Sequence, residues 1–209
     1  MAGSSLGIIF QLTTWGESHG AALGVVVDGC PAGLHLNEGD IQTYLNRRKP
    51  GQTKISTPRK EADDVQILSG IFEGKTTGTP ISMLVKNTSQ HSGDYREIAG
   101  YYRPGHADYT FDQKYGFRDY RGGGRSSGRE TIGRVAAGAV AAKVLSQFGI
   151  QLCAYTKSIG PITVSMENFD RKAILETPTA MPDRNASSLA EKYLADCMKD
   201  YDSAGGVIE

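Results

Sequence analysis

The chain has 209 residues, 39% of them hydrophobic and 22% charged, which is ordinary for a soluble globular protein with a core of its own. Its formal net charge of zero gives no reason to expect nucleic acid or an anionic membrane as a partner. No apolar run approaches the roughly 20 residues of a membrane helix, and the first residues lack a signal-peptide pattern. Three widely separated cysteines, Cys30, Cys153 and Cys197, fit reduced, buried thiols better than disulfides. These features predict a cytoplasmic protein.

The first part of the chain is predicted to open with a β-hairpin. Apolar residues alternate over residues 7–15 and run continuously over 23–28, so both segments are expected to be strands. The polar loop Gly-Glu-Ser-His-Gly, residues 16–20, joins them at the tip. Asn37 is expected to cap a short helix that runs to Arg47.

A strand is predicted at residues 81–86, followed by a long polar, aromatic and glycine-rich stretch over 87–124. A stretch of this length without periodicity is usually functional, and its Tyr, Arg and His residues argue against disorder. Ser127 and Glu130 have the spacing of a capping box for a helix that is expected to run to Phe148. This helix is small or apolar on nearly every side, so we expect it to be buried between layers.

The last part of the chain predicts a strand at 152–159 and an amphipathic helix opened by a second capping box, Ser188 and Glu191. The inner face of that helix is expected to carry Leu189, Tyr193, Leu194 and Cys197. Residues 203–209 resemble the opening of a strand that is then cut, which predicts a fragment of a longer protein.

His19 lies in the 16–20 loop between flanking glycines, which allow the backbone to come close to a ligand. With Glu17 and Ser18 it presents an acid, a hydroxyl and an imidazole, and an imidazole exchanges protons near neutral pH. The loop is therefore either a proton-handling site or a turn whose polar side chains satisfy their own backbone.

His106 lies in a second polar segment, Arg-Pro-Gly-His-Ala-Asp at residues 103–108. Beside the guanidinium of Arg103 and the carboxylate of Asp108, it is a candidate general acid or base. The alternative is a structural turn held by an Arg103–Asp108 pair. The aromatic residues nearby are either core or walls for a planar ligand.

An arginine- and glycine-rich loop covers residues 121–129 and leads into the long helix. Backbone N–H groups and the helix dipole attract anions there, and arginine forks bind phosphate or carboxylate. The loop has neither the Gly-Lys-Ser/Thr of a Walker loop nor the spacing of a dinucleotide fingerprint. Anion binding is the favoured interpretation, and an ordinary solvated helix start is the alternative. A basic cluster at residues 47–60 is followed directly by Glu61, Asp63 and Asp64. Such a charge run is usually a solvated face, although a phosphorylated or polycarboxylate substrate would need a cluster of this kind. No Cys or His spacing predicts a metal site.

Together these motifs resemble the chorismate synthase family over essentially the whole chain. The first family signature is similar to residues 16–29, and the second, Gly-Gly-Gly-Arg-Ser-Ser running into an Ala-rich helix, is similar to residues 122–142. The segments at 103–108 and 47–51 also fit the family. Lys49 and Lys54 depart from it, because many relatives have arginine at these positions, and a lysine keeps the charge but lacks the planar fork. Family members are considerably longer, and their remaining part carries a third signature.

The resemblance implies a lyase of the shikimate pathway. It would convert 5-enolpyruvylshikimate-3-phosphate to chorismate by 1,4-anti elimination of phosphate, with reduced FMN as cofactor and no net redox change. Catalytic roles are implied for His19 and His106, with His106 also at the flavin. Flavin contacts are implied for Arg125, Ser126 and Ser127. Substrate contacts are implied for Ser18, Arg48, Lys54, Arg129 and Arg134.

The resemblance also implies an α+β fold, a layered β-α-β sandwich with buried helices between antiparallel sheets, that assembles as a homotetramer. We expect one domain over residues 1–209, with its C-terminal portion missing from the chain. Two alternatives stay open. One is a bifunctional form that also reduces its flavin with NADPH, and the other is a catalytically incomplete fragment that binds flavin or anions.

Overall fold

A computed structural model describes residues 3–49, 62–88, 97–121 and 123–209. The chain divides into two compact units, the second of which includes Leu152–Glu209. We describe each unit by itself. The single domain expected over the whole chain stays a prediction.

The first unit is built on an antiparallel sheet. Its strands are β1 (Ser5–Leu6), β2 (Gln11–Gly16), β3 (Ala22–Asp28), β4 (Val65–Ile67) and β7 (Ile81–Lys86). Between β4 and β7 the chain forms a small hairpin of β5 (Ile71–Phe72) and β6 (Lys75–Thr76). The strands of the sheet lie side by side in the order β1-β2-β3-β7-β4, and β5 pairs with β6 alone. The predicted hairpin of β2 and β3 and the predicted strand at 81–86 are confirmed.

The first predicted strand begins later than expected. Residues 8–10 form a bend after Gly7, whose φ of +91° lies in the left-handed region that favours glycine and turns the chain before β2 begins. Ile8 and Ile9 are 87% and 88% exposed at this bend, so their apolar character does not report a buried strand. The alternation used for the prediction therefore applies from Gln11 onward only.

The core of the first unit lies on one face of the sheet. Leu23, Val25 and Val27 alternate along β3 and are buried, and each contributes about 1.5–3 kcal/mol of hydrophobic stabilisation. The helix α3 (Thr131–Ser146) packs on the sheet, and α1 (Glu38–Arg48) packs on α3 and on β4. Together the two helices cover this face of the sheet. The aromatic ring of Trp15, on β2, lies over Gly24 of β3, where a Cβ atom would come within 2.3 Å of the ring.

Helix α1 matches its prediction closely. The side chain of Asn37 accepts a hydrogen bond from the Asp40 N–H, and the Asp40 carboxylate accepts one from the Asn37 N–H. This reciprocal pair satisfies two backbone donors at the start of the helix. Ile41 and Leu45 are fully buried beneath it.

Helix α3 differs from its prediction at its start and on one face. The side chain of Ser127 accepts from the Arg129 N–H and caps a 3-10 turn at Gly128–Glu130, so the expected capping box with Glu130 is wrong. The helix ends at Ser146, before Phe148. Gly133 packs against the sheet, whereas Gly138 is exposed with no atom of the described residues within 4 Å of its Cβ position. Burial on every side is therefore wrong at Gly138.

A helix that the sequence did not predict, α2 (Asp108–Tyr115), lies within the polar stretch at 87–124. No side chain caps its N-terminus, and its buried residue is a carboxylate, Asp108, rather than an apolar stripe. It ends at Gly116, which has a φ of +71° and donates its N–H to the Asp112 carbonyl oxygen. Neither apolar periodicity nor a capping residue marks this helix in the sequence.

The second unit combines a small antiparallel sheet with helices. Its elements are β8 (Thr156–Ile159), β9 (Ile162–Thr163), α4 (Ala173–Glu176), α5 (Arg184–Lys199) and β10 (Gly206–Ile208). The strands lie in the order β10-β8-β9, so the strand expected at the end of the chain pairs with β8. The strand expected at 152–159 begins only at Thr156.

The second predicted capping box is wrong. The carboxylate of Asp183 accepts from the N–H groups of Asn185 and Ala186 and begins α5 there, so Ser188 lies inside the helix. Leu189 is 55% exposed instead of buried, because the face that α5 buries carries Ala186, Ser187 and Ala190. Ala186 and Ala190 pack with Val164 and Met181 in the core of this unit.

The mixed α+β class with antiparallel sheets is confirmed. Cys30 is buried, Cys197 is half-buried, and Cys153 is exposed, so the expectation of buried thiols is wrong for Cys153. Across the described ranges, every helix falls short of the length and apolarity that a membrane span demands.

Candidate active site

The 16–20 loop folds tightly between β2 and β3. Gly16 has a φ of +87°, and a Cβ atom there would lie 2.2 Å from the Ala22 carbonyl oxygen, so only glycine fits. Ser18 and His19 are buried, and Ser18 Oγ lies 3.2 Å from His19 Nδ1. The loop therefore holds a hydroxyl and an imidazole together, largely withdrawn from water.

Asn87 fastens this loop to Arg129. Its Nδ2 donates to the carbonyl oxygens of Glu17, at 3.0 Å, and Gly20, at 2.8 Å. Its Oδ1 accepts from Arg129 Nε at 3.0 Å. A single amide thus bridges the loop and a predicted substrate-binding arginine.

Asp63 in turn joins Arg129 to Arg48. Its Oδ1 lies 3.1 Å from Arg129 Nη1, and its Oδ2 accepts from Arg48 Nη1 at 2.9 Å. The Asp63 side chain has no exposed surface. Two guanidinium groups meet at one carboxylate, and their planar donors are of the kind that binds an anionic ligand. We call Arg48, Asp63 and Arg129 the arginine cluster.

A second network ties the end of β2 to the start of α3. Arg125 donates from Nη1 to the Gly16 carbonyl oxygen at 3.0 Å and from Nη2 to Thr14 Oγ1 at 2.6 Å. Thr14 Oγ1 donates to Glu130 Oε1 at 2.5 Å, and Arg134 Nε donates to Glu130 Oε2 at 2.9 Å. Burial opposes the charge on Glu130, yet the hydrogen bonds from Thr14 and Arg134 hold its pKa below the ordinary value.

The segment at 103–108 forms the structural turn that was the alternative interpretation. Arg103 donates from Nε and Nη2 to the two carboxylate oxygens of Asp108, at 2.8 Å and 2.9 Å. The Arg103 hydrogen bond is the main cause of a pKa for Asp108 well below its ordinary value. His106 is exposed beside this pair, with Nδ1 3.0 Å from the Pro104 carbonyl oxygen.

This turn stands beside the glycine-rich loop. Arg103 Nη2 lies 3.8 Å from the Cβ position of Gly123. Ser126 Oγ donates to the Gly123 carbonyl oxygen at 2.7 Å, and Ser127 Oγ accepts from the Arg129 N–H. The predicted flavin-binding serines therefore lie near the segment that carries His106.

A cleft of about 540 Å³ opens beside Arg125 in the first unit. Its walls combine aromatic, cationic and acidic side chains, including Glu17, Phe111, Lys114, Tyr115, Arg125 and Arg134. Burial raises the pKa of Glu17 above its ordinary value, against the lowering effect of the Arg125 charge. The volume of the cleft lies within the range of small-molecule sites.

Comparison with known proteins identifies the family. Residues 10–209 match the family model described as chorismate synthase. The chain belongs to the chorismate synthase family. It is 66% identical over all 209 residues to the chorismate synthases of Lachnoclostridium phytofermentans and Agathobacter rectalis, and 54% identical to that of Chloroflexus aurantiacus. The chain spans 57% of the length of each of these relatives.

A solved structure agrees with this assignment. A crystal structure of chorismate synthase superimposes with a TM-score of 0.73 at 30% sequence identity, covering 96% of this chain and 56% of that one. The fold expected from the resemblance to the chorismate synthase family is thereby confirmed.

For this member of the chorismate synthase family, the structure brings several predicted site residues together. Ser18 and His19 connect through Asn87 to the arginine cluster, and Arg125 and Arg134 meet at Glu130. His106 lies on a separate turn that these contacts do not include. Lys54 and Gly122 lie outside the described residues. All the functional roles stay predictions.

The sequence did not single out Asp63 or Asn87. Asp63 belongs to a charge run, which is usually a solvated face, and only its burial between two arginines distinguishes it. Asn87 directly follows β7, and a polar residue at a strand end is the weak signal that was present. Among the described residues, no group of three or more His, Cys, Asp and Glu side chains is arranged to hold a metal ion.

Proposed function

We propose that the protein containing this chain is a chorismate synthase that converts 5-enolpyruvylshikimate-3-phosphate to chorismate by 1,4-anti elimination of phosphate. The observation that carries this proposal is the connection of the buried Ser18–His19 pair, through Asn87, to the arginine cluster. Family membership supports it independently. Because the chain spans 57% of its relatives, the proposal concerns the whole protein.

The substrate carries a phosphate and two carboxylates, so its site needs several cations. Arg48 and Arg129 offer planar forks that meet at the carboxylate of Asp63, and Arg134 is partly exposed at 39% beside the cleft. We assign these three arginines, with Ser18 and Lys54, to substrate binding. A serine hydroxyl can donate to a phosphate oxygen while it accepts another bond.

Proton handling is assigned to His19 and His106. His19 is held next to Ser18 in a loop that reaches the arginine cluster, which suits proton exchange near the leaving phosphate. His106 is exposed on the turn whose Arg103 lies beside the glycine-rich loop, and an exposed imidazole there suits a hydrogen bond to a flavin. These are different environments, and they support different tasks.

The residues present fit a flavin. The cleft has the volume of a cofactor site, Phe111 and Tyr115 supply aromatic walls, and Lys114 adds positive charge for a phosphate. Arg125 lines the same cleft, whereas Ser126, Ser127 and His106 are not among its lining residues. Ser127 Oγ, which accepts from Arg129, still has a proton to donate. When bound, reduced FMN would supply reducing chemistry, which must be returned to the flavin by the end of the reaction because there is no net redox change. Arg125, Ser126, Ser127 and His106 would hold it.

We further propose a cytoplasmic homotetramer, following the family pattern, with no nucleic acid or membrane as partner. Its flavin is expected to arrive reduced. The bifunctional form that reduces flavin with NADPH is retained as an outcome of the test below, and the catalytically incomplete fragment is retained as the alternative for the 209-residue chain by itself.

The deciding assay uses the full-length protein without oxygen. Chemically reduced FMN and 5-enolpyruvylshikimate-3-phosphate are supplied, and release of inorganic phosphate is followed, with oxidised FMN as the control. We expect release with reduced FMN and none with oxidised FMN. Absence of release in both would refute the lyase proposal. Release with oxidised FMN plus NADPH would establish the bifunctional form.

A further inference from the structure

Asn87 is fixed by the sheet before its side chain makes any contact. It directly follows β7, whose last residue, Lys86, pairs with Ala22 at the start of β3. Its backbone N–H donates to the Ala21 carbonyl oxygen at 3.1 Å. Residue 87 therefore stands beside the residues that close the 16–20 loop.

The nitrogen and the oxygen of the Asn87 side-chain amide bind different partners. Nδ2 donates to the carbonyl oxygens of Glu17 and Gly20, the residues that flank Ser18 and His19. Oδ1 accepts from Arg129 Nε. An amide offers two N–H donors and an acceptor on one rigid plane, a combination that neither a carboxylate nor a hydroxyl can supply.

We propose that Asn87 is a positioning residue that fixes the placement of the His19 loop relative to the arginine cluster. This inference rests on the proposed function. A phosphate bound by Arg48 and Arg129 must lie where His19 can exchange a proton, and a shift of about 1 Å can cost on the order of 10²-fold in rate. Arg129 keeps its second anchor on Asp63 when Asn87 is changed, whereas the loop loses its clamp.

This difference in anchoring predicts which kinetic constant changes. Substrate binding depends on arginines that Asp63 still holds, so KM should change little. The alignment of His19 depends on the clamp, so kcat should fall. A purely structural role would instead lower stability and leave the turnover of each folded molecule unchanged.

The test compares variants of the full-length protein. Asn87→Asp keeps the shape but removes the N–H donors and turns a carboxylate oxygen toward two carbonyl oxygens. Asn87→Ser removes the bridge without adding charge. Asn185→Asp makes the same amide-to-carboxylate change at an exposed site in the first turn of α5, where the helix dipole accepts negative charge.

With reduced FMN, we expect kcat to fall at least about 30-fold in both Asn87 variants, while KM stays within about threefold. Asn185→Asp should match the unsubstituted protein in both constants. Hydrogen exchange at the amides of residues 16–22, followed by mass spectrometry, should be faster in the Asn87 variants and unchanged in the control.

Unchanged kcat in Asn87→Asp would overturn the inference. So would failure of both Asn87 variants to fold while Asn185→Asp folds, because that result assigns Asn87 to stability. If the unsubstituted protein releases no phosphate, the proposed function fails. The exchange data then decide separately: faster exchange in the Asn87 variants supports the clamp, and unchanged exchange refutes it.

Discussion

Arg129 Nη1 lies 3.1 Å from Asp63 Oδ1, on a carboxylate that has no exposed surface and also binds Arg48. A buried carboxylate is costly unless cations pair with it, and the two arginines supply that pairing. The protein therefore arranges both guanidinium groups with its own anion before a ligand arrives. Prearranged side chains reduce the ordering cost of binding.

Replacing Asp63 by Asn is expected to destabilise the protein by about 3 kcal/mol, because it leaves two partly buried guanidinium groups without their shared charge. Asn tolerates the positive φ of +50° at this position, so the backbone is not strained by the change. Equilibrium urea unfolding measures the loss. Asp64→Asn, at an exposed neighbour, is the matched control, and equal stabilities of the two variants would contradict the prediction.

His19→Ala and His106→Ala are each expected to lower kcat by about 10²–10⁴-fold, more than they alter substrate binding, because both histidines are assigned to proton handling. Their effects on stability should differ. His19 is buried and His106 is exposed, so only His19→Ala should lower the melting temperature. Steady-state kinetics and thermal unfolding test this together. Normal turnover in both variants would refute the proton-handling roles.

The Arg103–Asp108 pair predicts a dependence of stability on pH. The folded-state pKa of Asp108 lies below its unfolded value, chiefly because Arg103 hydrogen-bonds the ionised form. The unfolded chain therefore binds a proton first as the pH falls, and acid removes the stabilisation. Asp108→Asn should cost about 2 kcal/mol at neutral pH, and its deficit relative to the unsubstituted protein should shrink below about pH 4.

Urea unfolding of both proteins between about pH 7 and pH 3 measures that deficit. Asp196→Asn, at an exposed pair with Lys199, is the control and should leave the free energy of unfolding nearly unchanged at each pH. A deficit for Asp108→Asn that stays constant through the acid range would show that the pair does not act through ionisation.

Two glycines of α3 predict opposite effects of the same substitution. A Cβ atom at Gly133 would lie 2.9 Å from the Gly24 carbonyl oxygen and from Thr14 Cγ2, so Gly133→Ala should destabilise the protein by about 1–3 kcal/mol. Gly138 is exposed, so Gly138→Ala should stabilise it by about 0.5–1 kcal/mol through helix propensity. Thermal unfolding compares them. A destabilising Gly138→Ala would mean that this face of the helix is covered.

Local sequence signals predicted the parts of the fold that local chemistry decides. The Asn37 cap of α1 and the apolar run of β3 are each determined within a few residues. Errors arose where two signals competed. Ser188 and Glu191 have capping spacing, but Asp183 begins α5 earlier because its carboxylate binds two N–H groups. Helix α2 carries no apolar stripe, since its inner contact is an ion pair.

The sequence predicted several residues of the candidate site, but it did not predict the contacts that join them. His19, Arg48 and Arg129 were identified from motifs, whereas the residues that join them were not. Asp63 and Asn87 act through partners that lie far away in the chain, at Arg129 and at the 16–20 loop. No pattern of spacing encodes such contacts, because the sheet and α3 create them when they pack.

The contacts of the arginine cluster also indicate the order in which it assembles during folding. Because synthesis proceeds from the N-terminus, the 16–20 loop, Asp63 and Asn87 are all made before Arg129. Until α3 docks, Asp63 lacks one of its two cations and Asn87 has no guanidinium to hold. Contacts of such long sequence separation form late and slowly. The arginine cluster is therefore complete only after Arg129 has docked against Asp63 and Asn87, so its completion marks a late step in the folding of the first unit.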